Sequence, residues 1–222
     1  MPETLAEELL LLAHDIRGKC RIAPNAMDCG VVGGLLSELA LTGRVTVDRA
    51  DGSVLVPVGD ARTGGPGVVA SGESPTGDAV LDELLDAIAA TPRTPLAWVT
   101  RLRGTGLTER LLTRMVDGGQ VEIDQHRNYG LFPETWYPVR DIVSLWEAHQ
   151  RVVDAATASL APDRRTLALG ALSAAAGLAK VLLATSGDWK VLGSRIREKT
   201  ADDWAAEAVR RALLPEHRNA TV

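Results

Sequence analysis

Hydrophobic positions recur at helical spacing along most of the chain, and this pattern predicts a mainly α protein. The series opens over residues 5–15. Thr4-Leu5-Ala6-Glu7 has the capping-box spacing, in which a threonine oxygen takes an orphan helix N–H and an acidic residue three positions on reaches back. The apolar run Leu9-Leu10-Leu11-Leu12 is too broad for a single stripe, so this helix should be covered on most sides. A second helix is predicted over 28–42, with Leu35, Leu36, Leu39 and Ala40 at core spacing and Gly43 placed to close it. Residues 45–48 and 53–58 are β-rich and flank Ala50-Asp51-Gly52, which marks a hairpin. Glycine, proline and serine dominate 59–77, a loop. Leu81, Leu84, Leu85 and Ile88 line one face of a helix over 78–90, and Pro95 stands in the first turn of another that runs to Arg103.

Further along, Thr108 is placed to cap a helix through Asp117, closed by Gly118-Gly119, and 120–125 with 129–132 make a second hairpin. Ile142, Leu145, Trp146, Val152 and Val153 give 140–160 an amphipathic pattern. Pro162-Asp163 starts a long alanine- and leucine-rich helix reaching Thr185. Two more helices, 188–199 and 202–214, precede the stop at Pro215 and a frayed tail over 216–222. No repeat or linker divides the chain, so 1–222 is expected to be a single domain with its core in 3–215.

Composition sharpens this picture. Hydrophobic residues make up 45% but aromatics only 4%, so the core must be built from Leu, Ala and Val, which favours packed helices over a sandwich or barrel. The uncharged stretch 166–179 spans about 21 Å as a helix, short of the roughly 30 Å of a hydrocarbon core. It reads as a buried helix and not as a membrane span. The formal charge of -5 argues against a uniformly basic nucleic-acid binder. Cys20 and Cys29 have no ligand spacing and suggest semi-buried thiols in a reducing compartment. The N-terminus shows no signal-peptide pattern, so a cytoplasmic location is expected.

Catalytic chemistry is not visible in the pattern. His14, His126, His149 and His217 lack metal-ligand spacing, and His14 reads as a cation suited to a helix C-terminus. No nucleophile elbow, phosphate-binding loop or dinucleotide fingerprint is present, and Gly64-Gly65-Pro66-Gly67 reads as plain loop. No catalytic residue, metal site or cofactor is therefore assigned. Two features point to binding instead. Arg93, Arg101, Arg103, Arg110 and Arg114 crowd one region, with Arg127 beyond, and guanidinium forks suit phosphate. Asn128-Tyr129-Gly130-Leu131-Phe132, with Trp136 and Tyr137 behind it, gathers the chain's one Phe and both Tyr at a hairpin tip, a composition that suits a membrane or protein interface.

Several strings together resemble the Golgi phosphoprotein family. They are Leu5-Ala6-Glu7-Glu8-Leu9-Leu10-Leu11-Leu12, Glu38-Leu39-Ala40-Leu41-Thr42-Gly43-Arg44-Val45, Pro75-Thr76-Gly77-Asp78 leading to Leu81-Asp82-Glu83-Leu84-Leu85, Glu109-Arg110-Leu111, and Gly130-Leu131-Phe132-Pro133. The family comprises cytosolic phosphatidylinositol-4-phosphate effectors and has a large bacterial branch, which this chain resembles. The resemblance implies a central helical bundle surrounded by amphipathic helices, two small β-hairpins with one protruding and apolar, and peripheral membrane binding through a basic pocket beside that hairpin. It also implies an adaptor role, with the hairpin able to support self-association. The family's headgroup positions fall on Ala23, Val32, Thr105 and Thr108, none of which keeps the required chemistry. The basic N-terminal arm of eukaryotic members has no counterpart ahead of Thr4.

The expectation is thus a non-catalytic, peripheral adaptor on an anionic membrane surface. Arg101, Arg103, Arg110 and Arg114 would meet lipid headgroups, and Tyr129, Leu131, Phe132 and Trp136 would form the membrane or oligomer hairpin. The protein client stays unspecified. The alternatives are a winged-helix-like nucleic-acid module, in which Arg110, Thr113 and Arg114 would face a groove, and a homo-oligomeric scaffold built through the hairpin.

Overall fold

A computed structural model describes residues 4–48, 53–58, 75–128 and 132–214, with side chains left aside at 126–128, 132 and 133. Among these residues the chain forms ten helices and two antiparallel two-stranded sheets. In chain order they are α1 (Leu5–Ala13), α2 (Pro24–Leu41), β1 (Val45–Asp48), β2 (Val54–Pro57), α3 (Ala79–Ala90), α4 (Pro95–Leu102), α5 (Leu107–Asp117), β3 (Asp124–Asn128), β4 (Phe132–Trp136), α6 (Ile142–Thr157), α7 (Arg164–Ala175), α8 (Ala179–Leu182), α9 (Trp189–Lys199) and α10 (Trp204–Leu213). The mainly α fold matches the sequence expectation. Residues 1–3, 49–52, 59–74, 129–131 and 215–222 lie outside the described residues, and with them the turn expected at 50–52, most of the loop expected over 59–77, Tyr129 and Leu131 of the expected hairpin tip, and the tail expected to fray.

The breadth of the apolar run in α1 has its reason in the packing: every residue of this helix is buried. The capping box at Thr4 and Glu7 is formed, and the Leu5 N–H is taken by the Glu38 carboxylate of α2 at 2.8 Å, so the buried helix end leaves few orphan donors. Helix α2 runs along α1 at very close range. A Cβ on Gly34 would lie 2.8 Å from the Ala6 backbone, and one on Gly30 would lie 2.6 Å from a Leu9 methyl. Helices α5, α6 and α7 pack around α1, while α4 and α10 cover the other side of α2.

Several boundaries differ from the pattern-based expectation. Helix α2 starts at Pro24, earlier than 28, because proline at the first helical position needs no N–H partner and presets φ. Gly106, at φ 85°, caps α5, and Thr108 lies inside the first turn. The second hairpin pairs Asp124–Asn128 with Phe132–Trp136 and not 120–125 with 129–132. Residue 121 instead bridges Val139, and Gln120 accepts the Arg140 and Asp141 N–H groups, so this stretch closes the base of the hairpin. The long helix predicted to reach Thr185 breaks at Gly177 (φ 89°) into α7 and α8. No helix among the described residues is long and apolar enough to cross a membrane.

Candidate functional site

The most distinctive surface surrounds the base of the β3–β4 hairpin. Three segments meet there. The turn after α1 packs against the strand exit: Gly18 accepts the Tyr137 N–H at 2.9 Å, and a Cβ on Gly18 would overlap the Tyr137 and Pro138 backbone at 2.2–2.5 Å. Pro138 in turn accepts the Glu122 N–H, and residues 139–141 lead directly into α6. Exposed apolar side chains sit on all three segments: Ile16 (69% exposed) on the turn, Ile123 ahead of β3, and Ile142 (53%), Val143 (68%) and Trp146 (62%) on the first turns of α6.

The α6 residues show how the face arises. Spacing predicts Ile142 and Trp146 among the core positions of this helix. The structure sets the buried stripe on Ala148, Val152, Ala155 and Ala156, with Leu145 partly covered. At about 100° per residue Trp146 lies about 200° from Ala148, on the outward side, with Ile142 and Val143 one turn away from it. The start of α6 therefore carries apolar side chains on its outward side as well, at Ile142, Val143 and Trp146, with Ser144 and Glu147 as its polar positions.

The four arginines singled out by the sequence do not gather into one open cationic surface. Arg114 reaches inward, with Nη1 2.6 Å from Asp78 and Nε 2.9 Å from Glu7. Arg110 makes a bidentate pair with Glu83 at 2.5 and 2.7 Å. The Arg103 guanidinium donates to the Ala212 carbonyl. Arg101 is exposed, and among the described residues it makes no ion pair. Thr113 donates its hydroxyl to Glu109 O within α5, so the face proposed for groove reading offers two already paired guanidiniums.

The positions that the resemblance assigns to a headgroup, Ala23, Val32, Thr105 and Thr108, carry a different chemistry. Val32 is buried among apolar neighbours, and Ala23 forms the exposed N-cap of α2. Thr108 donates its hydroxyl to one Asp28 oxygen at 2.5 Å, and the Gly104 N–H donates to the other at 3.0 Å, one residue from Thr105. An internal carboxylate thus uses the donors at this place, and an anion would meet a like charge there. Phe132 lies in β4 by its backbone, and Trp136 is half-buried at the strand end.

A separate cluster of charges lines a cleft over the N-terminus of α1. Glu8 (3% exposed) receives Arg151 at 2.7 Å and Arg165 at 2.7 Å, and Arg165 also reaches Glu38 at 2.9 Å. With Asp78–Arg114–Glu7 beside it, the cluster is a set of linked ion pairs, in which Arg114 Nη2 and Arg151 Nε are buried without a hydrogen-bond partner among the described residues. Among the described residues no grouping of His, Cys, Asp and Glu suits a metal ion.

His14 corrects an expectation. It is buried, and burial holds its pKa below the ordinary 6.5, so it stays neutral and is not a cation for the helix dipole. Its Nδ1–H donates to Leu10 O at 2.7 Å and its ring meets Tyr137 edge-on. The two thiols differ as well, since Cys20 is exposed and Cys29 buried.

Sequence reasoning passed over the turn itself. Arg17, Lys19 and Arg21 are all exposed, and among the described residues their side chains have no hydrogen bond or ion pair. Cations at every second position between Ile16 and Ile22 were the available signal.

The profile of Golgi phosphoprotein 3 (GPP34) matches residues 5–214, nearly all of the core seen in the structure, and the chain belongs to that family.

Proposed function

We propose that the protein is a non-catalytic adaptor that docks reversibly on a membrane surface through the flank around the β3–β4 hairpin base. The observation that carries this reading is the uncovered apolar face of Ile142, Val143 and Trp146, on a helix start tied by hydrogen bonds to segments that expose Ile16 and Ile123. Contiguous apolar surface of this kind marks an interaction site on a folded protein. A tryptophan beside branched aliphatics suits the zone between headgroups and acyl chains. The family is non-enzymatic and membrane-associated, which supports the same reading. The position at which relatives would grip phosphatidylinositol-4-phosphate holds the Asp28 carboxylate here, so we place the contact on the flank as a whole and not on that pocket.

Sedimentation with vesicles tests it. The wild-type protein should pellet with vesicles of phosphatidylcholine and phosphatidylserine at low salt. Val143→Ser with Trp146→Ser should weaken partitioning by about tenfold or more, the size expected when about 1.4 kcal/mol of apolar burial is lost. A wild-type protein that remains in the supernatant under these conditions refutes the reading.

A further inference from the structure

The turn over residues 15–21 carries Arg17, Lys19 and Arg21 on alternate positions. All three side chains are exposed and, among the described residues, unpaired. The turn's own carboxylate, Asp15, directs Oδ1 at the Arg17 and Lys19 backbone N–H groups (2.9 and 3.0 Å) and not at a cation. The backbone is fixed by Asp15 N–H to Lys19 O, Arg21 N–H to Ala13 O and the Tyr137 N–H to Gly18 O. Binding therefore requires no ordering of the turn, only of three side chains.

We propose that Arg17, Lys19 and Arg21 make the electrostatic contact with the membrane, and that the ligand is an anionic phospholipid layer read by its charge density, not one headgroup held in a pocket. This rests on the docking reading above. Three separate cations, each exposed on the turn, suit contact with a charged surface better than enclosure of a single inositol ring by fixed donors and acceptors. Ile16, on the same turn, supplies an apolar side chain next to the charges. Glu122, tied to the same strand exit through Pro138 O, is engaged by Arg140 at 2.5 Å. Glu109, beside Tyr137, is exposed. The chain carries a formal charge of -5, so a bilayer of like charge repels it overall. With a screening length of about 8 Å at physiological salt, the nearest charges decide, and orientation with this turn toward the membrane is favoured.

The test compares two triple variants with the same change in net charge. One is Arg17→Gln, Lys19→Gln, Arg21→Gln on the turn. The other is Lys190→Gln, Arg195→Gln, Arg197→Gln on the exposed side of α9. Binding is measured to phosphatidylcholine vesicles containing phosphatidylserine, or phosphatidylinositol-4-phosphate at matched surface charge, across a salt series. At about fivefold per cation, the turn variant should lose about a hundredfold in partitioning and most of its salt dependence. The α9 variant should stay within about threefold of wild type, and the wild type should bind the two anionic vesicles alike. A turn variant that binds as wild type, an α9 variant that loses as much, or a wild type tenfold tighter on phosphatidylinositol-4-phosphate each overturns the proposal. Wild-type binding that is equal on neutral vesicles overturns it too, while the docking reading stands. Absence of wild-type binding to any vesicle removes both.

Discussion

Single residues decide more here by their surroundings than by their type. His14 stands at the end of a helix, where a cation would ordinarily be favoured, yet burial outweighs the dipole and keeps the ring neutral. The consequence is a pH dependence. Its folded-state pKa lies below the unfolded value near 6.5, so between the two the unfolded chain binds a proton that the folded chain refuses. The stability associated with neutral His14 is complete above about pH 6.5 and falls as pH drops toward the folded pKa. Melting at about pH 7.5 and about pH 5.5 should show a larger loss for the wild type than for His14→Gln. Equal losses would mean that the ring protonates freely within the fold. Nothing in residues 10–18 of the sequence announces this, because the desolvation comes partly from Tyr137, far along the chain.

At the scale of elements, helical spacings and the α1 capping box were legible, whereas the cap expected at Thr108 falls on Gly106. Thr4, Asp78, Thr94, Asp163, Asp188 and Asp203 all cap helices through their side chains, each an interaction confined to neighbouring residues. Which face of a helix is covered was less legible, as Ile142 and Trp146 show. Closeness between elements was not legible at all. Glycine to alanine inside a helix ordinarily stabilises by about 1 kcal/mol. Gly34→Ala should instead destabilise by about 1–3 kcal/mol, since the new Cβ would press on the Ala6 backbone at 2.8 Å, which has no rotamer to yield. Gly193→Ala in α9 is the contrast: its Cβ would meet Ala179 at an ordinary 3.6 Å, and urea unfolding should show no loss. If the two variants behave alike, the close approach of α1 and α2 is not what requires Gly34.

Across the whole molecule, ion pairs join elements that the chain keeps far apart. Arg165 of α7 holds Glu8 of α1 and Glu38 of α2, and Glu38 in turn takes the Leu5 N–H. Removing one partner of a buried pair leaves uncompensated charge, so Arg165→Met should cost about 3 kcal/mol in denaturant unfolding. Arg110→Met, whose pair with Glu83 is exposed on both sides, should leave the unfolding midpoint almost unchanged. A small loss for Arg165→Met would show that Arg151 alone satisfies Glu8.

The sequence by itself determined the helical class, the α1 capping box, the first hairpin's strands and the family, because each is written in spacings of two to four residues or in short strings. Only the tertiary structure decided which cations are available. Arg114 is paired with Glu7 and Asp78, 107 and 36 positions away, whereas Arg17, Lys19 and Arg21 stand exposed on a turn with no ion pair among the described residues. A charge has the same letter whether it is paired or solvated, and the partner that distinguishes the two is brought near only by the packing of the whole chain.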